Sequence, residues 1–225
     1  MTDNMRTAQQ RYAAACGALA PQAGGADAAQ SRPVTDNMRT AQQLRETISA
    51  DVPDWSREAK TFWSWQPSRS LLASLRAHER ARRSAGPLHA LARASAVLRH
   101  RFWSAVTGAD IPLNCHIEGG LLLPHPNGVV IHPDARIGPN CLLMQQVTLG
   151  TGGTVAGAPV LVGRVDVGAG AKVLGGVTLG AHCMVGANAV VLQDVPGGAT
   201  AVGVPARIVR EPLIVNSADK EGVRT

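Results

Sequence analysis

Between Ile131 and Val191 an aliphatic side chain returns at every sixth residue: Ile131, Ile137, Leu143 and Leu149, then, after a gap, Leu161, Val167, Val173, Leu179, Val185 and Val191. Few backbone geometries satisfy that spacing. A helix repeats every ~3.6 residues and a strand every ~2, so a period of six belongs to neither alone. It fits a coil of short flat strands, about six residues to a side and about three sides to a turn, with one aliphatic side chain per side filling the axis. A second series, small or β-branched, falls four residues after most of these positions (Ala135, Cys141, Val147, Val165, Ala171, Val177, Cys183, Ala189, Val195). Those residues ease the chain around each corner, where Gly and Asn supply backbone freedom.

Composition fits a narrow prism. Of 225 residues 45% are hydrophobic, yet there are only four Trp, two Phe and one Tyr, and such an axis has no room for rings. No apolar run approaches the ~18 residues of a spanning helix. The N-terminus lacks the basic lead-in and leucine-rich stretch of a signal peptide, so a cytoplasmic location is expected. Cys16, Cys115, Cys141 and Cys183 have no C-x-x-C spacing and read as buried reduced thiols, not as a disulfide framework or a zinc ribbon. The net charge of +6 is concentrated in Arg76, Arg80, Arg82, Arg83, Arg93, Arg99 and Arg101, against Glu79 alone. Nucleic acid, a membrane surface or an anionic subunit would suit that run. No groove-reading motif accompanies it, so the reading adopted is the solvated face of two helices, with no nucleic acid and no membrane as partner.

The nine residues Thr2 to Gln10 recur verbatim at Thr35 to Gln43 and do not recur again. A local duplication or an upstream start site explains it; residues 1–43 are read as a disordered or duplicated segment, the stretch between the copies is expected to be disordered, and Met1 to about Arg32 is expected to contribute no chemistry. Residues 44–108 read as an α-helical domain. Asp54 is the expected N-cap of a helix over Trp55 to Trp65, a second helix spans about Arg69 to Arg83, and a third follows Gly86-Pro87. In the third, Leu88, Leu91, Ser95/Ala96, Leu98, Phe102 and Val106 recur at helical spacing. Trp63, Trp65 and Trp103 read as a bundle core or a subunit contact. Gly108 ends the helices, the coil occupies 109–209, and 210–225 is a polar tail.

Two interruptions break the coil. Ile111, Ile117, Leu123 and Val129 keep the step, and a two-residue slip before Ile131 suggests a bulge or widened corner beside Pro124 to Gly128. Twelve residues then separate Leu149 from Leu161, and Gly150 to Pro159 is too glycine-rich for a strand and is expected to leave the prism as a loop. In so regular a scaffold, interruptions are where function should be sought.

His78, His89 and His100 lie on the basic helices and read as surface residues; His132 and His182 stand next to corners, facing solvent. His125 differs. In Pro124-His125-Pro126-Asn127-Gly128 two prolines and a glycine hold a short rigid segment that presents the imidazole outward. Such a group serves as a general base near neutral pH when a carboxylate or carbonyl fixes its tautomer. Asp110, fifteen residues earlier and just under one eighteen-residue turn, is expected about one coil below, near the same edge.

On these stretches the chain resembles a known family. Asp110-Ile111, Pro124 to Val130, Gln146 to Gly150, Val167 to Val173, Val185 to Val191, Asp194 to Pro196 and Gly203 to Arg207 are similar to serine acetyltransferase and its relatives among the hexapeptide-repeat acyltransferases. The resemblance implies a mainly β fold, a left-handed parallel β-helix with a smaller N-terminal α-helical domain. It implies acetyl-CoA as cosubstrate and no metal, with His125 as catalytic base and Asp110 as its carboxylate. Ala169, Ala187, Gln193 and Arg207 match the path of CoA. A homotrimer is implied, with pairing into a dimer of trimers left open. L-serine is the implied acceptor, giving O-acetylserine for cysteine synthesis.

The departures bear on the acceptor. The serine enzymes carry an Arg-His pair before the proline closing the long loop, where this chain has Gly157 and Ala158; Pro124 replaces an acidic residue, and His132-Pro133 replaces Gly-Glu. A saccharide, polysaccharide or specialised-metabolite hydroxyl is therefore kept as the alternative acceptor, because a free carboxylate needs a cationic partner. A zinc hydratase of the γ-carbonic anhydrase type would need three converging histidines, and His116, His125 and His132 step by nine and seven residues, which does not match. A non-catalytic trimeric scaffold is the third reading, opposed by the presence of both Asp110 and His125.

Overall fold

The computed structural model describes residues 48–60, 64–83 and 86–210. The repeated nonapeptide, the rest of residues 1–43, Trp63 and the tail beyond Arg210 lie outside them. Asp54 caps a 3-10 helix, Trp55–Glu58, by accepting the Ser56 N–H at 3.0 Å. Helices α1 (Pro67–Arg82) and α2 (Pro87–Thr107) both start on proline, whose missing N–H would be unbonded in a first turn anyway. Gly108, at φ 66°, supplies the left-handed residue that ends α2.

Helix α2 buries its less apolar side. Leu88, Leu91, Leu98 and Phe102 are exposed, Leu88 at 78%, while Ala96, His100 and Thr107 are buried. His100 is thus not the surface residue its basic surroundings suggested. Its Nδ1 lies 3.3 Å from Ser74 Oγ of α1 and its Nε2 3.5 Å from Ser104 Oγ, and burial holds its pKa below the ordinary value. Trp65 is 73% exposed, and its ring lies 5.5 Å from that of Trp103, which is partly buried and packs against the core.

Thirteen short strands are described in the rest of the chain: β1 (His116–Ile117), β2 (Val130–Ile131), β3 (Arg136–Ile137), β4 (Leu142–Leu143), β5 (Thr148–Gly150), β6 (Val160–Leu161), β7 (Asp166–Val167), β8 (Lys172–Leu174), β9 (Thr178–Leu179), β10 (Met184–Val185), β11 (Val190–Val191), β12 (Thr200–Val202) and β13 (Arg207–Arg210). They form three sheets. The first face is β1-β3-β6-β9, the second β4-β7-β10-β12 with β13 antiparallel at its edge, and the third β2-β5-β8-β11. All other pairings are parallel, and the chain visits the faces in turn. The six-residue comb is the axis of this coil: Ile131 pairs with Leu149, Leu149 with Val173 and Val173 with Val191, all at most 2% exposed. Burying each such side chain contributes about 1.5–3 kcal/mol.

Two of the three corners turn through a left-handed residue. Between the first and second faces these are Gly120, Asn140, Arg164, His182 and Gly198; between the second and third, Gly128, Gln146, Gly170 and Asn188. Each coil is stitched to the one before it there, as in Arg164 N–H to the Pro139 carbonyl (2.7 Å) and Asn188 N–H to that of Ala169 (2.8 Å). The register moves the first interruption slightly. Val130 pairs with Thr148, which sets Val129 opposite Val147 in the corner series. The aliphatic step therefore runs Ile117, Leu123, Ile131, and the two extra residues belong to Pro124–Gly128 itself.

The segment before α1 is clasped onto the first–second corner. Asn140, fully buried, accepts the Asp54 N–H at 2.8 Å and donates to the carbonyls of Ser49 and Val52 at 2.8 Å each. Arg57 Nη1 donates to the Asn140 carbonyl at 2.7 Å. Glu58 accepts from Gly120 N–H (2.9 Å), Leu121 N–H (3.2 Å) and Arg76 Nη2 (2.8 Å), which ties α1 to the same corner. Among the described residues, no helix is long and apolar enough to cross a membrane.

Cys141 and Cys183 are buried inside that corner, and burial pushes both thiols up to about 12. Their folded-state pKa lies above the unfolded value of 9.0, so the stability they contribute is complete below pH 9 and is lost between 9 and about 12. The urea midpoint is expected to fall between pH 8 and pH 10 by the equivalent of about 2 kcal/mol more than in a variant carrying Cys141→Ala and Cys183→Ala. An identical fall in both proteins would remove the thiols from the account.

Candidate active site

The second–third corner is a ladder. Gly128 N–H donates to the Gly108 carbonyl (2.9 Å), Gln146 N–H to that of Asn127 (2.9 Å), Gly170 N–H to that of Gln145 (2.8 Å) and Asn188 N–H to that of Ala169 (2.8 Å). His125 lies on the widened turn of this ladder and is exposed. Gly128 closes the turn at φ 68°, where a Cβ would come within 3.2 Å of Gln146 Cγ, so both backbone and space call for glycine.

Asp110 stands one coil below on the third face. Its N–H donates to the Val129 carbonyl (2.8 Å), its carbonyl accepts from Ile131 N–H (3.0 Å), and it bridges to Val130. Because Ile111 points into the axis at 1% exposure, strand alternation turns the exposed Asp110 outward. Asp110 thus stands beside the corner that carries His125, one coil below it. Among the described residues, no hydrogen bond joins the two side chains.

Ala169 and Ala187 fall on the same ladder as His125, one coil apart. Among the described residues, neither alanine's N–H makes a hydrogen bond; Ala187 is exposed and Ala169 half-buried. Arg207 opens β13 just after Ala206, whose N–H donates to the Val190 carbonyl (2.8 Å), and is exposed at the end of the coil. Gln193 is separated from these residues. It follows β11 at the third–first corner, across the third face from His125.

That far corner carries the glycine-rich loop. Thr154 Oγ1 donates to the Leu192 carbonyl (3.2 Å), Gly175 N–H to that of Gly150 (2.9 Å) and Gly176 N–H to that of Val155 (3.0 Å). A Cβ on Gly153 would lie 2.2 Å from the Leu174 carbonyl oxygen, so the loop hugs the coil only because glycine stands there. Gly150–Pro159 leaves the prism as expected, but as a flap held along Leu174 and Leu192.

The motifs do not single out Gln145 or Lys172. The Gln145 Oε1 is buried without a hydrogen-bond partner at the His125 corner, and Lys172 Nζ donates to the Gln146 carbonyl at 2.5 Å. The eighteen-residue recurrence aligns Ala169 with Ala187, but the step from Gln145 to Ala169 is twenty-four residues because the glycine-rich loop intervenes, so the period hides Gln145. Among the described residues, no three His, Cys, Asp or Glu side chains are grouped to hold a metal ion. His116, His125 and His132 stand on different sides of the coil.

A three-faced parallel coil of hexapeptide repeats, with a histidine presented on one corner, defines the class. Within it the chain is similar to serine acetyltransferases in sequence as well as fold. It is 38% identical to the soybean serine acetyltransferase apoenzyme over 64% of this chain and 57% of that one, with a TM-score of 0.54. The Brucella abortus strain S19 serine acetyltransferase in complex with coenzyme A is 30% identical over 66% of this chain and 58% of that one, TM-score 0.56. A serine acetyltransferase in complex with cysteine is 33% identical over 75% and 66%, TM-score 0.54. The chain thus spans under three fifths of the soybean and Brucella proteins. No protein-family model and no curated protein matches it.

Proposed function

We propose that this chain is an acetyl-CoA-dependent O-acetyltransferase built on a left-handed parallel β-helix, with residues 44–108 as its helical domain and 109–209 as its catalytic one. The observation that carries the proposal is the alignment of His125 with Ala169 and Ala187 on one corner ladder, the alanine N–H groups being unpaired. CoA offers amide carbonyls along its pantetheine arm, which suit two donors a strand spacing of about 4.8 Å apart. Arg207 at the end of the coil suits a CoA phosphate.

In the proposed reaction a ring nitrogen of His125 takes the proton of the acceptor hydroxyl as its oxygen attacks the thioester carbonyl. A backbone N–H stabilises the tetrahedral oxyanion. The C–S bond then breaks, and the imidazolium returns the proton to the departing thiolate. Asp110 orients and balances the imidazolium. The separation of Gln193 and the flap from the His125 corner supports a homotrimer, in which the third–first corner of one copy faces the second–third corner of the next. L-serine is the acceptor indicated by the family; Gly157 and Ala158 favour a carboxylate-free hydroxyl such as a saccharide.

Replacing Ala187 with glutamate places a bulky anion beside the proposed pantetheine path at an exposed position. Ala187→Glu is expected to raise KM for acetyl-CoA by about tenfold or more with a much smaller change in kcat, since uniform binding is what is lost. An unchanged KM would move the CoA path off this corner.

A further inference from the structure

One cavity of the described residues stands away from the His125 corner. It lies between α1 and the first face and encloses about 690 Å³, within the ~300–1,000 Å³ typical of small-molecule sites. Four arginines line it, Arg76, Arg82, Arg83 and Arg136, against Glu79 and Glu118. Two of the four are committed. Arg76 is paired with Glu58 at 2.8 Å and donates to the Ile117 and Glu118 carbonyls, and Arg83 is paired with Glu79 at 2.6 Å. Arg82 on α1 and Arg136 on β3, on opposite walls, have no ion-pair partner among the described residues. Between them the floor is apolar, with Leu75, Val160 and Val162, the last 44% exposed. The wall also holds His78, whose Nδ1 is buried without a hydrogen-bond partner.

We propose that this cavity binds a small amphiphilic anion, a carboxylate or phosphate head on an apolar body, with the head between Arg82 and Arg136 and the body on the valine floor. Guanidinium groups pair with carboxylate or phosphate oxygens by charge-assisted hydrogen bonds, and Arg82 and Arg136 offer two such groups to one void. An exposed apolar floor is stabilised by covering it. The site is independent of acetyl transfer, since none of its lining residues belongs to the corner that carries His125.

Calorimetric titration of the full-length protein with octanoate and with octyl phosphate tests the proposal, with octyl glucoside and octyltrimethylammonium as neutral and cationic controls below micelle-forming concentrations. At least one anion is expected to bind saturably, once per chain and about tenfold or more tighter than either control; which anion binds separates the carboxylate from the phosphate source. The double variant Arg82→Gln, Arg136→Gln is expected to weaken that binding by about tenfold. Val162→Trp, which fills the floor without touching a charge, should weaken it as well. No saturable binding of either anion, equal binding of anion and neutral control, or unchanged affinity in both variants would overturn the assignment.

Discussion

His125→Ala is expected to lower kcat for acetyl transfer by about a hundred- to ten-thousand-fold, the range for loss of a positioned general base, while leaving the unfolding temperature unchanged. The imidazole is exposed on a turn whose geometry is set by Pro124, Pro126 and Gly128. Removing it deletes no buried contact. KM for acetyl-CoA should move little, because the proposed cofactor path begins two coils away at Ala169. Rate and thermal unfolding measured on the same preparation separate the outcomes: a loss of activity with a large fall in stability would make His125 structural, and full activity would remove it from the mechanism.

Asn140→Ala is expected to cost about 3–4 kcal/mol of folding stability, one of the largest effects of any single substitution outside the axis. Three backbone groups of the N-terminal segment, Asp54 N–H and the Ser49 and Val52 carbonyls, lose their partners together. Leaving a buried polar group unpaired costs about 1–3 kcal/mol, reduced here because part of the segment can reach water. Asn140 also holds φ at 58°, a conformation that alanine adopts only with about 1 kcal/mol or more of strain. Asn140→Gly isolates the hydrogen bonds, since glycine removes the strain, and it should retain most of the loss. Thermal unfolding is the measurement, with an expected fall of about 6–12 °C for a chain of this size; a fall under about 2 °C would mean that the clasp does not hold the segment.

The prism was legible because its periodicity is local and repeated: each aliphatic position from Ile131 to Val191 is also an axial position in three dimensions. The turn-formers were legible in part. Gly128, Gly170 and Asn188 are residues that tolerate a left-handed backbone, whereas Gln146 and Arg164 carry no such mark and are held there by the hydrogen bonds between coils. Helix α2 shows the limit of a periodic stripe. Leucines 88, 91 and 98 recur at helical spacing, but spacing says that a helix has an apolar side and not which side the fold buries. His100 was misread because its charged neighbours are close in sequence, while Ser74, which it meets, comes from α1. The clasp at Asn140 joins residues more than eighty positions apart and has no local signature. At the candidate site, the His125 corner follows from the eighteen-residue recurrence. Gln193 matches the family motif but falls on the opposite corner, because a motif records order along the chain and not the face on which a residue emerges.

Acetyl transfer is decided by CoA release from acetyl-CoA by the purified full-length protein, with and without L-serine and each member of a saccharide panel, together with mass analysis of the acceptor. At least one hydroxyl acceptor is expected to raise release by about tenfold or more over background hydrolysis, well under the acceleration that enzymes typically achieve, with one O-acetyl group gained per CoA released. CoA release that no hydroxyl acceptor increases, from a protein that binds acetyl-CoA, would contradict it.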